Sequence, residues 1–581
     1  MPIQIKRRPA VNQHNLPKDI PDFLQQIYAA RGITEPQELE NGAKYLANFQ
    51  DMHGLDEATA LLIEALEKQH KVVIVGDFDA DGATSTALLM RGLPMFGLTN
   101  VDFMVPNRFD FGYGLSPEMA EQVVNAGADL LITVDNGISC HQGVALAKSA
   151  GVKVLITDHH LPGATLPDAD AIVNPNQPNC KFASKNLAGV GVAFYVLVAL
   201  RAKLRSMDFF NQQNVAEPNI ANLLDLVALG TVADVVELDG NNRILVYQGL
   251  QRIRKGQCCV GIKALIDIAN RHHTKLHESD FGFALGPRLN AAGRLDDMSL
   301  GITCLITDDM SQARRIADEL DTLNKTRREI EQGMQAEAEK VIAKLPLQEG
   351  IVPDAITLFQ DDWHQGVIGI VAGRIKEKYH RPVIAFACSD NENQAMDTEL
   401  KGSARSITGI HIRDMLDEVN TRFPNLIIKF GGHAAAAGLS IQKDKLAEFT
   451  HAFEQVISEH MSDEQRTGSI LTDGALPPNL MTLDVANTLK HAGPWGQAFP
   501  EPIFDDFFTV IQQRIVGEKH LKLVLEHASG HYFDAIHFNC DLAVWPDLTI
   551  KSVHVVYALD INEFRDKLNL QLMVKEIQIT H

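Results

Sequence analysis

The chain has 581 residues, 45% hydrophobic and 22% charged, which is the composition of globular protein and long enough for three to five domains at roughly 100–200 residues each. A mean hydropathy of −0.07, with no apolar run near the roughly 20 residues of a spanning helix, excludes a membrane-spanning protein. A formal charge of −21 excludes a basic coat for nucleic acid, so any such binding must be local, in a groove, with metals helping to offset phosphate charge.

In chain order, the first 45 residues read as a polar, proline-punctuated arm with short helical stretches. They show neither the apolar core nor the small-residue cleavage site of a secretory leader. An amphipathic helix over 57–69 then leads into KVVIVG (71–76), a buried strand by its β-branched run. The pattern repeats: helix 83–96, strand 101–106, helix 116–127, strand 129–134, helix 143–151, strand 153–157. Strands alternating with helices predict a parallel sheet covered on both faces, so the fold class is α/β. Residues 187–260 turn helical, with 221–238 the most apolar element. Residues 311–345 carry an apolar helical stripe without proline, and one helix of that length would be a strut of about 50 Å. Strands and helices resume at 354 and run through KFGGHAAAAG (429–438) to a helix ending near 460. From about 466, five strand-like runs without strong helices suggest a small Greek-key barrel such as an OB-fold.

Seven cysteines, none in a C-x-x-C pair, argue against a disulfide framework and a structural zinc site, and point to a reducing cytoplasm. The acids are more telling. The first strand runs into GDFDADG (76–82), which sets Asp77, Asp79 and Asp81 at alternate positions, where extended backbone lets carboxylates converge. The third strand ends in VDNG, with Asp135, and the fourth in TDHH, with Asp158, His159 and His160. Any one of these acids could simply start a turn or cap a helix. Three strands delivering acids or imidazoles to one edge of a parallel sheet, where ligands bind, favour a shared site. Carboxylates that close raise one another's pKa unless cations neutralise them. Mixed carboxylate and imidazole donors suit manganese better than an all-oxygen magnesium site, and a two-metal phosphoryl-transfer centre follows. The loop is not a phosphate-cradling G-x-x-x-x-G-K-[ST]. Gly189-Val190-Gly191 lacks the third glycine of a dinucleotide fingerprint and reads as helix packing, and no G-x-S-x-G elbow is present.

DFDADG, VDNG and DHH in this order resemble the DHH phosphoesterase superfamily, with ALGTVADVVEL placing a fourth acid at Asp234. GSARS (402–406) and GGHAAAAG (431–438) look like its accessory DHHA1 domain. Length, strut and terminal β domain are similar to the branch of single-stranded-DNA-specific exonucleases. The resemblance implies an N-terminal arm (1–50), a DHH domain (51–308), a connecting helix (309–346), a DHHA1 domain (347–462) and an OB-like domain (463–581). It implies a cytoplasmic, membrane-free monomer that degrades single-stranded DNA from the 5′ end to 5′-mononucleotides in recombination and repair, with a helicase and a single-strand-binding protein as candidate partners. Asp77, Asp79, Asp81, Asp135, His159 and Asp234 are implied as ligands of two Mn²⁺ or Mg²⁺ ions, Asp135 bridging and Asp77 the weakest member. His160 is implied to face the scissile phosphate and Asp158 to orient a histidine. Arg108, Arg288, Ser403, Arg405, Gly431, Gly432 and His433 are implied contacts to DNA and its terminal phosphate, with Phe109, Phe111 and Tyr113 as stacking candidates. Rival readings are a small-molecule phosphoesterase, acting on pyrophosphate or short RNA and cyclic dinucleotides, and a scaffold that has lost its metals. The extra domains count against the first and the intact acids against the second. Over 466–581 nine basic residues face fourteen acidic ones, a net of −5. A DNA groove on the barrel would therefore have to be a local patch such as Arg514, Lys519, Lys522 and Lys551, and protein docking is the alternative.

Overall fold

The computed structural model describes residues 3–11, 13–107, 114–343, 352–389, 399–565 and 567–580. The chain divides into two compact units, one of 5–293, 297–321 and 471–581, the other of 1–4, 294–296 and 322–470.

The larger unit is built on a five-stranded parallel sheet. Its strands lie in the order Val101–Met104, Val72–Val75, Leu130–Val134, Lys153–Thr157, Ala171–Val173. The second to fourth are buried on both faces almost throughout, which is why they read as continuous apolar runs. Met119, Ala120, Val123, Val144 and Ala147, from helices Pro117–Asn125 and His141–Ser149, form one core with Val73, Val75, Leu131 and Val154. Helices Leu55–Lys68, Ala80–Met95 and Gly189–Ser206 pack on the sheet as well. Side-chain caps start several helices: Asp79 accepts from the N–H groups of Asp81 and Gly82, so the helix expected from 83 begins at Ala80, and Ser116 accepts from that of Met119. Numbered along the chain, the strand order is 2-1-3-4-5, a doubly wound sheet whose switch point lies between strands one and three. The fifth strand has only three residues, too short to leave a pattern.

The same unit contains a closed five-stranded barrel: Phe504–Val516, His520–His527, Tyr532–His537, Ser552–Phe564 and Lys567–Thr580, the third and fifth parallel. The N-terminal segment is no free arm. Leu16, Leu24, Ile27, Tyr28 and Ile33 share one core with barrel residues such as Phe508, Leu523 and Tyr557. Arg31 pairs with Asp473 at 2.7 Å, and the Tyr28 hydroxyl donates to the Ala492 carbonyl at 2.8 Å. A helix also precedes the barrel, Leu483–His491, capped by Thr482, in a segment whose sequence shows no strong helix.

The smaller unit carries a mixed five-stranded sheet in the order Lys429–Gly432, Ala436–Gln442, Glu399–Arg405, Val383–Cys388, Ile356–Phe359, with only the last two parallel. Helices Ile412–Arg422 and Leu446–His460 contribute to one core, and helix Ile368–Tyr379 to another. The strut is a single helix, Met310–Ala343, of 34 residues. Ala313, Ile316 and Leu320 are buried near its start, and Met334, Ala338 and Ile342 join the core of the smaller unit.

Candidate metal centre

The loop after the first strand carries Asp77 and Asp79, and Asp81 lies in the first turn of helix Ala80–Met95 rather than on extended backbone. The loop after the third strand carries Asp135, so the acids sit at the switch point of the sheet. His159 and His160 follow the fourth strand, and Asp234 caps the C-terminal end of helix Leu224–Ala233. Three overlapping groups have their ligand atoms within 4.8 Å of one another: Asp135, His159 and His160; Asp81, His159 and Asp234; Asp77, Asp79 and Asp135. All six expected ligands are thus brought together, with His160 beside them.

Burial governs the protonation of the cluster. Asp81 and Asp135 are pushed well above the usual carboxylate range, first by loss of water and then by neighbouring acids. Asp234 is pushed up to about 7 by burial, with Asp79 adding to it. His159 is pushed down to about 4 by burial and by the charge of His160. It is therefore neutral, yet its buried Nε2 makes no hydrogen bond and lies 3.1 Å from Asp135 Oδ1 and 3.6 Å from Asp234 Oδ2. With the proton on Nδ1, which bonds the backbone of Leu187, Nε2 presents a lone pair to these oxygens, an arrangement repulsive alone and coordinating around a cation, so the donor set fits divalent metal ions. For His160, burial lowers the pKa, but the bond from Nδ1 to Asp158 Oδ1 at 2.7 Å outweighs it and raises the group to about 9.

The supports come from elsewhere in the chain. Asp158 also accepts the N–H groups of His159, His160 and Ile138. Asn174 donates to the His160 carbonyl at 2.9 Å and Asn176 to the His159 carbonyl at 2.6 Å, so the VNPN segment at the fifth strand clamps both histidines. Asp81 accepts the N–H groups of Gly189 at 2.6 Å and Val190 at 2.9 Å, at the positive end of helix Gly189–Ser206. A Cβ at Gly189 would stand 2.7 Å from that of Asp135, so only glycine lets the helix start this close to both acids. The packing role read for this glycine segment therefore serves the site directly. Asn290 accepts the Ala80 N–H at 2.8 Å and fixes the DFDADG loop. Asp135 adopts φ 60° and Val235, next to Asp234, φ 63°. Positive φ is costly, above all for a β-branched residue, and such strain gathers at functional sites.

The remaining expected residues fall differently. Arg108, Phe109, Phe111 and Tyr113 lie outside the described residues. Arg288, expected on phosphate, pairs its guanidinium with Asp321 at 2.7 Å and donates to the Ala284 carbonyl. In the smaller unit, Arg405 donates to the Ser403 hydroxyl at 3.0 Å on strand Glu399–Arg405. Gly369, in the first turn of helix Ile368–Tyr379, abuts both: a Cβ there would meet Arg405 Nη2 and Ser403 Oγ at 2.8 Å. A helix start, an arginine and a hydroxyl together make an anion-binding arrangement that the GSARS motif alone does not reveal. Gly431 and Gly432 end the first strand of a hairpin, and His433 opens its turn. Gly432 has φ 147°, and the His433 N–H bonds the Ala436 carbonyl.

The class of protein is set by this sheet and this acid–imidazole centre. Residues 71–231 match the DHH family, N-terminal domain, residues 352–459 the DHHA1 domain, and residues 472–576 the RecJ OB domain. The single-stranded-DNA-specific exonuclease RecJ of Escherichia coli (strain K12) is 52% identical over 576 residues, 99% of each chain. The solved structure of RecJ in complex with Mn²⁺ from Thermus thermophilus covers 99% of this chain and 80% of its own, with a TM-score of 0.78 and 28% identity. The Mg²⁺ complex from the same organism matches with a TM-score of 0.73, 27% identity, and coverage of 99% and 79%. The chain belongs to the RecJ family of single-stranded-DNA-specific exonucleases. Among the described residues, no helix is long and apolar enough to cross a membrane.

Proposed function

We propose that this chain hydrolyses single-stranded DNA from the 5′ end, releasing 5′-mononucleotides, with two divalent cations held by Asp77, Asp79, Asp81, Asp135, His159 and Asp234. The observation that carries the reading is the convergence of these side chains, from four separate stretches of chain, into three overlapping groups whose ligand atoms lie within 4.8 Å of one another. Bound divalent ions supply Lewis-acid charge to the phosphate and make water acidic enough to attack at neutral pH. Asp135 and His159 each belong to two of the ligand groups, and both would help hold the ions. Asp81 is fixed from behind by the backbone of Gly189 and Val190, so it keeps its direction as the site loads. His160, charged at neutral pH and tied to Asp158, gives a hydrogen bond or proton to the leaving 3′ oxygen. Ser403 and Arg405, with the helix start at Gly369, receive the terminal 5′ phosphate, and Gly431, Gly432 and His433 lie along the strand.

The segments proposed to carry these roles are the DHH domain (51–308), connecting helix (309–346), DHHA1 domain (347–462) and OB-like domain (463–581). The enzyme acts as a cytoplasmic monomer in recombination and repair, on strands that a helicase opens and a single-strand-binding protein covers. Asp135→Ala tests the centre: cleavage of a 5′-phosphorylated oligonucleotide disappears while most DNA binding remains. Wild-type turnover of that variant in saturating Mn²⁺ would remove Asp135 from the mechanism.

A further inference from the structure

A cavity of about 460 Å³ is walled by Val235, Val236, Gly282, Phe283, Trp495 and Leu559, the first two next in the chain to the metal-centre acid Asp234. Resting on the exonuclease reading, we propose that this cavity seats a nucleobase of the substrate strand beyond the cleaved nucleotide, with Phe283 as its stacking platform.

Four observations meet there. Val235 and Val236 directly follow the metal-centre acid Asp234, so the cavity borders the chemistry in the chain itself. Phe283 is 81% exposed and Val235 64%, and they stand on the walls of one cavity. Single exposed apolar side chains are ordinary, whereas two large ones framing a concave apolar site mark a binding surface. Phe283 lies in a wide helical turn, Phe281–Leu285, of the kind found at functional sites. That turn continues into helix Gly286–Leu295, whose Asn290 holds the DFDADG loop some 10 Å along the axis. Gly286 also presses on Ala233, where an added Cβ would stand 3.0 Å from that of the alanine, so the turn is fixed against the helix that ends in Asp234.

Charge selects the occupant. The polar wall carries Glu278, Glu501 and Asp560 against Lys490. Such a wall repels a phosphodiester or an acidic peptide, while the flat, uncharged face of a base stacks on phenylalanine in a sequence-tolerant way. The strand's phosphates stay outside while one heterocycle turns in.

The experiment uses the full-length protein and its Phe283→Ala and Phe283→Trp variants. KM is measured on 5′-phosphorylated strands of decreasing length, and 2-aminopurine is moved one position at a time along an oligonucleotide bound in EDTA. The expected result is a KM raised about tenfold in Phe283→Ala, with a penalty that vanishes once the strand is too short to reach the cavity and is relieved in Phe283→Trp. One 2-aminopurine position is quenched in the wild type and released in Phe283→Ala. Equal KM at every length, or no position whose fluorescence depends on Phe283, overturns the inference and leaves the cavity to a protein or small-molecule occupant. The exonuclease reading survives that failure if the wild type digests the same strands. The EDTA fluorescence decides the inference even if it does not.

Discussion

Gly189→Ala puts a methyl group where the metal centre has no room for it. The added carbon would lie 2.7 Å from Asp135 Cβ and 3.0 Å from both its Cα and Oδ1, against about 3.5–4.0 Å for ordinary contact. Relief needs a movement on the order of 1 Å. The helix start can move away, which stretches the 2.6 Å bond from the Gly189 N–H to Asp81 Oδ2 beyond hydrogen-bond range. Alternatively Asp135 can move, and it already sits at φ 60°. A lost hydrogen bond to a charged group costs about 1.5–3 kcal/mol, and overpacking about 1–3 kcal/mol. Because both displaced acids belong to the ligand groups, Mn²⁺ affinity should fall at least about tenfold, the usual scale for disturbed ligand supports. Calorimetric titration of the metal-free protein with Mn²⁺ reads this directly, with thermal unfolding in EDTA as the stability control. Gly191→Ala is the comparison: its Cβ would meet Leu187 Cδ2 at 2.9 Å, the far end of a side chain that can rotate away. Its Mn²⁺ affinity should stay within about threefold of wild type, a difference below 1 kcal/mol. Wild-type affinity in Gly189→Ala would refute the claim that this close approach builds the site.

Asn176→Ala removes the donor to the His159 carbonyl and should weaken Mn²⁺ binding about tenfold, measured by the same titration. Mn²⁺ at 100 times its dissociation constant should stabilise the protein by about 2.7 kcal/mol, seen as a rise in Tm. Because Asp234 titrates near 7 and must lose its proton to bind, Mn²⁺ affinity should be lower at pH 6 than at pH 8. At the base of the barrel, burial works to raise Asp505, but hydrogen bonds from Arg7, Thr472 and His554 hold it below the usual carboxylate range. A depressed folded pKa contributes stability that is complete above the unfolded value of about 3.9 and is lost as pH falls through the folded one. Asp505→Asn should therefore cost about 1–3 kcal/mol at pH 7, and its Tm deficit should shrink towards pH 3.

The parallel sheet is legible because strands buried on both faces leave unbroken apolar runs, and Asp79, Asp135 and the histidines stand at their carboxyl ends. The barrel strands are legible for the opposite reason: His520–His527 alternates buried and half-buried positions, as a one-sided strand must. Long-range packing hides the rest. Nothing local tells that the Gly189 N–H reaches Asp81, 108 positions away, or that Asn290 holds Ala80, 210 away. The helix Leu483–His491 is only nine residues long, and the small Gly–Ala residues of 431–438 show no period of either kind, so a hairpin there cannot be told from a helix start. The N-terminal segment reads as an arm because its apolar residues, Leu16, Leu24, Ile27 and Tyr28, find their core in a barrel formed hundreds of residues later.

The central claim, a metal-dependent exonuclease acting from the 5′ end, meets its most direct test in one assay. Purified protein is mixed with 5′-phosphorylated single-stranded DNA, labelled at one end or the other, in Mn²⁺, Mg²⁺ or EDTA. The account predicts labelled mononucleotide from the 5′ label at the earliest times, progressively shortened strands from the 3′ label, and nothing in EDTA. Intact DNA in every metal, or early release from the 3′ label, would contradict it.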